Sequence, residues 1–286
     1  MSFKNITRCG NLEFHWGERT YVMGIVNATP DSFSGDGNTD IETAVTQGCR
    51  FVEEGADILD IGGESTRPGF TEVSAEEEIQ RVVPVIERLA ARTKAPLSVD
   101  TTKYEVARQA LAAGAAIIND QWGLKTESQL AELAAKNNVP IILMSNQRDI
   151  GGYDAAVGRD TANYSDVMAE VIASLRQSVK TAQQAGVPKA NIILDPGIGF
   201  GKTWQQDIEI IRRLRELQVI GLPILVGTSR KSLIKMVLNL PANQRVEGTA
   251  STVAVSIANG ADIVRVHDVK QMARVCKMTD AIVRGK

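Results

Sequence analysis

Pro96-Leu97-Ser98-Val99-Asp100 is a short apolar run that stops at a carboxylate. Tyr104 to Ala113 then carries a helical period that breaks at Gly114, and Ala116-Ile117-Ile118-Asn119-Asp120 is a second apolar run ending in short polar side chains. Strand, helix and strand in that order form the crossover unit of a parallel sheet, whose strands are covered on both faces and so read as apolar runs. The rhythm recurs along the chain. Equivalent runs are Tyr21 to Asn27, Ile58 to Gly63, Pro140 to Ser145, Asn191 to Gly197, Pro223 to Ser229 and Asp262 to Asp268, which brings the total to eight.

Helical stretches lie between them: Ile41 to Glu54, Ala75 to Arg92, Glu127 to Lys136, Ser165 to Ala185, Trp204 to Leu217, Arg230 to Leu238 with Gly248 to Ala258, and Val269 to Val283. Gly55, Gly114, Gly186, Gly221 and Gly260 stand where a left-handed cap ends a helix. Eight strands, each followed by a helix, predict an α/β fold of one particular kind, a single (β/α)8 TIM barrel with a parallel eight-stranded core. A doubly wound open sheet is the alternative, and the count of eight tells against it. The expected organisation is one domain over 1–286, with a lead-in at 1–20 and the barrel at 21–286. The longest irregular stretches, Pro30 to Asp40, Arg67 to Ser74 and Gln147 to Asn163, follow strands and would hang over the face where barrels build their sites.

Composition narrows the function. The 286 residues carry 32 basic against 34 acidic side chains, a formal net charge of −2, with no basic stripe to suit a phosphate backbone, so nucleic acid is not an expected partner. No stretch approaches the roughly 18 consecutive apolar residues of a membrane span, and Met1-Ser2-Phe3-Lys4-Asn5 lacks the apolar core of a signal peptide, so the expected location is the cytoplasm. Cys9, Cys49 and Cys276 are scattered and the histidines are only His15 and His267, which excludes a Cys/His zinc site. Any metal would take oxygen ligands, which points to magnesium.

A barrel brings its strand ends to one mouth. Asp100, Asn119 and Asp195 form a group of short acceptors there, and Arg67, Lys231, Arg265 and His267 a cationic group. That pairing suits a ligand with a planar, donor-rich end and an anionic end. Arg265 and His267 are two apart on one strand and share a face. A phosphate-type anion would satisfy both, whereas a buried arginine with only protein partners is the weaker reading. The turn Asp195-Pro196-Gly197-Ile198-Gly199-Phe200-Gly201-Lys202 is Gly-rich, but Lys202 does not stand at P-loop spacing, so no nucleoside triphosphate site is expected.

Several ordered blocks resemble one family. They are Met23 to Ser34, Asp60 to Gly69, Ser98 to Lys103, Ile118 to Asp120, Leu194 to Lys202, Val226 to Ser232 and Arg265 to Val269. Across essentially the whole chain they are similar to the dihydropteroate synthases, pterin-binding enzymes of the folate pathway. The resemblance implies condensation of 6-hydroxymethyl-7,8-dihydropterin diphosphate with para-aminobenzoate, giving dihydropteroate and diphosphate. It implies Asp100, Asn119, Asp195 and Lys231 on the pterin, and Asn27, Thr66, Arg67, Arg265 and His267 on the diphosphate, with Mg2+ placed by Asn27. Phe33, Pro68, Phe200 and Ser232 would form the aminobenzoate slot, and Lys231, Arg265, His267 and Asp100 would be the catalytic groups. A cytoplasmic homodimer, a target of sulfonamides, goes with it. Two departures stand out. Met144-Ser145-Asn146-Gln147-Arg148 replaces the family's common Met-His-Met, and Ser34-Gly35-Asp36 shifts an aspartate by one place. The alternatives are a non-catalytic pterin-binding paralogue, a folate-dependent methyltransferase on a related barrel, and an aldolase-like barrel using Lys103 or Lys231 for a Schiff base.

Overall fold

A computed structural model describes residues 6–10, 12–28, 37–64, 73–148, 153–154, 159–160 and 164–285. The barrel strands are β3 (Tyr21–Asn27), β4 (Ile58–Gly62), β5 (Leu97–Asp100), β6 (Ile117–Asp120), β7 (Ile141–Met144), β10 (Ile192–Asp195), β11 (Leu225–Val226) and β12 (Ile263–Val266). All ladders between them are parallel, in sequential order around the sheet, with β12 returning to β3. A parallel bridge from Leu194 to Ile224 joins β10 to the start of β11 and closes the barrel. The expected eight-stranded α/β barrel is therefore the fold.

Helices α1 (Gly37–Glu53), α2 (Ala75–Arg92), α3 (Tyr104–Ala112), α4 (Gln129–Asn137), α5 (Val167–Gln184), α6 (Trp204–Arg213), α7 (Ser232–Leu238), α8 (Val246–Ala258) and α9 (Val269–Arg284) answer to the predicted stretches. α2 (Ala75–Arg92) starts where Ser74 Oγ accepts from Glu77 N at 3.2 Å and buries Val82, Val85, Ile86 and Leu89 as one stripe. The five cap glycines all have positive φ, from +72° at Gly221 to +112° at Gly114. Three stretches differ from expectation. β11 is cut to two residues because Pro223 has no N–H and Ile224 N donates instead to Asp262 Oδ2 at 3.0 Å. The helix from Trp204 ends at Arg213 and continues as a 3-10 segment, Leu214–Ile220. In the loop after β7, β8 (Tyr153–Asp154) pairs antiparallel with β9 (Arg159–Asp160).

The lead-in is also ordered. β1 (Ile6–Cys9) and β2 (Leu12–His15) form an antiparallel hairpin. Cys9 and Phe14 from it, with Trp16 and Tyr21 beyond it, pack beneath Met23, Ile58, Ile117, Ile142, Ile193, Leu225 and Ile263, an apolar layer that fills the lower barrel. Strand alternation sets what comes next: two residues further on, the same interior face carries Asp60, Asn119, Asp195 and Arg265. Asn27, Gly62, Asp100 and Asn119 are successive register partners across four strands, so they enter the mouth at one level.

Candidate active site

Asp100, Asn119, Asp195, Lys231 and Arg265 meet above the apolar layer. Arg265 reaches across the barrel: its Nε donates to Asp60 Oδ2 and its Nη2 to Asp100 Oδ2, each at 2.6 Å. Asn119 Nδ2 donates to the same Asp60 oxygen at 3.0 Å. Gln121 Nε2 lies 2.6 and 2.5 Å from the two oxygens of Asp100. Arg265 thus has protein partners, the arrangement that the sequence made the weaker expectation. Asp60 and Asp100, from two other strands, supply them, a pairing across 205 and 165 residues of chain.

Electrostatics follow from enclosing these charges. Burial pushes the Asp100 carboxyl up to about 7, against the pull of Arg265 and with the help of Asp60. Burial likewise brings the Lys231 ammonium down to about 8, against Asp195, which favours its charge, while Arg265 adds to the lowering. Asp195 is raised by burial, with Lys231 opposing. Arg265 is lowered by burial, but Asp60 and Asp100 outweigh that and fix it as a cation. The basin holds acceptors and donors in one small space.

The turn after β10 shapes the second side. Asp195 Oδ1 accepts from Gly197 N at 2.7 Å, and Lys231 Nζ donates to Ile198 O at 2.6 Å. Gly197 has φ +70°, and a Cβ there would sit 2.3 Å from Ser145 O, so only glycine fits. Lys202 is 3% exposed, its Nζ donating to Ser145 O, Gly197 O and Phe200 O at 2.8, 2.9 and 2.9 Å. It ties the turn to the strand before it. The Phe200 ring lies under two cations, Lys231 Nζ at 4.8 Å from its centroid and Arg148 Cζ at 4.5 Å.

The departure at Met144-Ser145-Asn146-Gln147-Arg148, which starts at the end of β7, is built into this wall. Ser145 N donates to Asp195 O at 2.9 Å, Asn146 Nδ2 to Gln121 O at 3.0 Å, and Arg148 Nη2 to Gly199 O at 3.1 Å. Just past β12, His267 Nδ1 is 3.0 Å from Ser229 Oγ. Asn27 is half-buried at the end of β3, and Ser232 is exposed at the start of α7 (Ser232–Leu238). Phe33, Thr66, Arg67 and Pro68 lie outside the described residues, as does the Ser34-Gly35-Asp36 shift. The Schiff-base reading of Lys103 is corrected. Its neighbours are carboxylates, Glu64 Oε2 at 2.7 Å and Glu78 Oε2 at 2.6 Å, and these hydrogen bonds outweigh burial and hold it as an ammonium.

Sequence reasoning passed over Asp60, Gln121 and Arg148 as site residues. Asp60 had a usable signal: it stands two before Gly62 on a strand whose end meets the mouth, an acid at an interior position of an otherwise apolar run.

The fold and this acceptor-and-cation basin define a pterin-binding barrel, and the chain belongs to the pterin binding enzyme family, whose model matches residues 23–267. Within that family its similarity is to dihydropteroate synthases. One from Clostridium beijerinckii is 49% identical, over 97% of this chain and 99% of that protein. A crystal structure from Clostridium difficile in the presence of pteroic acid is 45% identical with a TM-score of 0.88, covering 95% of this chain and 99% of that one. A Xanthomonas albilineans structure with 4-aminobenzoic acid is 41% identical with a TM-score of 0.89, covering 98% of each chain.

Proposed function

We propose that the chain is a transferase that condenses 6-hydroxymethyl-7,8-dihydropterin diphosphate with para-aminobenzoate, releasing diphosphate and forming dihydropteroate. One observation carries the reading: Asp100, Asn119 and Asp195 stand on the interior face of the mouth with Arg265 and Lys231 among them. A pterin's amino-pyrimidinone edge presents several N–H donors, and an unanswered one in a closed pocket costs about 1–3 kcal/mol. The carboxylates of Asp100 and Asp195 and the amide oxygen of Asn119 accept them, and Lys231 donates to the ring from the other side.

The diphosphate lies toward the rim, on His267 and Arg265 and on the Thr66 and Arg67 of the second loop. Negative charge builds there as the C–O bond breaks, and fixed donors aimed at it stabilise the loose transition state. The dihydropterin releases electron density to its methylene carbon, and the amine of para-aminobenzoate attacks that carbon. An aniline is nucleophilic without a strong base, so no general base is assigned. Phe200 and Ser232, with Phe33 and Pro68, form the aminobenzoate slot, which a sulfonamide would share as a mimic of that substrate.

Magnesium fits as a partner of the substrate. Among the described residues no group of three or more His, Cys, Asp or Glu side chains could hold a metal ion. Asn27, a half-buried residue whose strand position is level with Asp100, offers a single amide oxygen, and Mg2+ habitually takes one or two protein oxygens together with phosphate oxygens and water. When bound it neutralises charge on the departing diphosphate. The reading includes a cytoplasmic homodimer. Among the described residues no helix is long and apolar enough to cross a membrane, and Met278, Ile282 and Val283 leave an apolar face on the last helix, α9 (Val269–Arg284), for a second copy. The test is to mix both substrates with magnesium and follow diphosphate and dihydropteroate together. Equal, catalytic amounts of both are expected. Binding without turnover would establish the silent paralogue instead.

A further inference from the structure

Asp60 is a carboxylate that the reaction does not touch. It lies on β4, is 0% exposed, and stands directly above the apolar layer that contains Ile58. Its Oδ2 takes both of its hydrogen bonds, from Arg265 Nε and Asn119 Nδ2, while Oδ1 is buried with no hydrogen-bond partner among the described residues. A buried carboxylate left half-satisfied is a poor way to stabilise a barrel, and an apolar side chain of similar volume would fill the space at less cost. What the acid provides is orientation.

Two orientations depend on it. An amide whose Nδ2 faces Asp60 must turn its Oδ1 the other way, so Asp60 makes Asn119 an acceptor toward the pterin edge. A guanidinium held at Nε by Asp60 and at Nη2 by Asp100 cannot rotate, and of its three nitrogens only Nη1 has no protein partner among the described residues. We infer that Asp60 is a positioning residue, which sets Asn119 as a pterin acceptor and holds Arg265 with one nitrogen presented to the substrate's anionic end. This rests on the roles given to Asn119 and Arg265 above. The negative charge of Asp60 has a second effect. Together with burial and Glu78 on α2 it favours the neutral form of Asp100, while Arg265 on β12 and the Gln121 amide after β6 favour the carboxylate.

The experiment compares wild type, Asp60→Asn, Arg265→Met and the double variant. It reads kcat/KM for the pterin diphosphate against pH, affinity for bare hydroxymethyl-dihydropterin by calorimetry, and the melting temperature. Asp60→Asn keeps an oxygen where Oδ2 stands but removes the charge. It is expected to lower kcat/KM by about ten- to a hundredfold, the worth of one charge-assisted hydrogen bond, while bare-pterin affinity stays within about threefold because the retained oxygen still accepts from Asn119 Nδ2 and keeps it turned to the pterin. Its acid limb moves to lower pH, which a merely structural loss would not cause. In the Arg265→Met background the same change costs less than about threefold, because the charge of Asp60 acts on the substrate through a group already gone and the retained oxygen still accepts from Asn119. If Asp60→Asn does not fold alone, the double variant removes both buried charges together, and its comparison with Arg265→Met decides by the same threefold criterion. An undiminished loss in that background, or an unmoved acid limb, overturns the inference and leaves the substrate site intact. A wild-type-like Arg265→Met overturns the role given to Arg265 and this inference with it.

Discussion

Replacing Lys202 with Met keeps the length of a 3% exposed side chain and removes its three hydrogen bonds, to Ser145 O, Gly197 O and Phe200 O. The three carbonyls are not equal. Gly197 O still accepts from Phe200 N at 3.1 Å and Phe200 O from Gln147 N at 3.4 Å, whereas Ser145 O loses its one hydrogen bond among the described residues. An orphaned buried carbonyl costs about 1–3 kcal/mol and each weakened one about 0.5–1 kcal/mol, while no longer burying an ammonium returns part of this. The net expectation is a loss of about 2–3 kcal/mol. For 286 residues the unfolding entropy is about 0.6 kcal/mol/K, so the melting temperature falls by about 3–5 °C. The same turn supplies Ile198 O to Lys231 and the ring of Phe200, so KM for both substrates rises severalfold while kcat changes less. Differential scanning calorimetry and steady-state kinetics on the one variant give both numbers. A melting temperature within 1 °C of wild type, with unchanged KM, would refute the assignment of Lys202 as the tie between the two loops.

Four further outcomes are expected. The profile of kcat/KM against pH is a bell, its acid limb near 7 where Asp100 takes up a proton and stops accepting from the pterin, its alkaline limb near 8 where Lys231 loses one. Stability moves the other way on the acid side. The folded pKa of Asp100 is raised, so the fold prefers its neutral form, and acidification from about 7 toward the ordinary carboxylate range adds stability from this group while pterin affinity falls, as paired melting and calorimetry runs would show. Gly197→Ala, with φ +70° and a Cβ 2.3 Å from Ser145 O, is expected to abolish pterin binding and lower the melting temperature, and a variant that binds normally would contradict the close approach. Asn27→Ala should raise the magnesium concentration for half-maximal turnover about tenfold, the worth of one lost ligand, and leave bare-pterin affinity unchanged in a magnesium titration.

Much of the barrel was legible because each element carries its own local signal. Ile117 and Ile118 read as a strand and stop at Asn119-Asp120, and Ala75 to Arg92 begins and ends where predicted because Ser74 caps it and Thr93 leaves the helical region. The hairpin at Ile6–Cys9 and Leu12–His15 was not legible, since four-residue strands gain their stability from Phe14 packed beneath the barrel and not from their own pattern. The site divides in the same way. Asp100, Asn119 and Asp195 stand at strand ends, where position alone marks them. The pairing of Arg265 with Asp60 joins residues 205 apart, and no spacing in the chain encodes it.

The proposed substrate site depends on the acceptors at the strand ends reading a pterin, and calorimetry of Asp195→Asn with hydroxymethyl-dihydropterin tests that most directly. The carboxylate already takes Gly197 N on one oxygen, so the amide must aim its nitrogen at the pterin's donors or at that N–H. Loss of a charge-assisted acceptor predicts affinity weaker by about 1.5–3 kcal/mol, roughly ten- to a hundred-and-fiftyfold, with the fold still cooperative on melting. Unchanged affinity in a folded variant would contradict the placement of the pterin on Asp195 and with it the proposed substrate site.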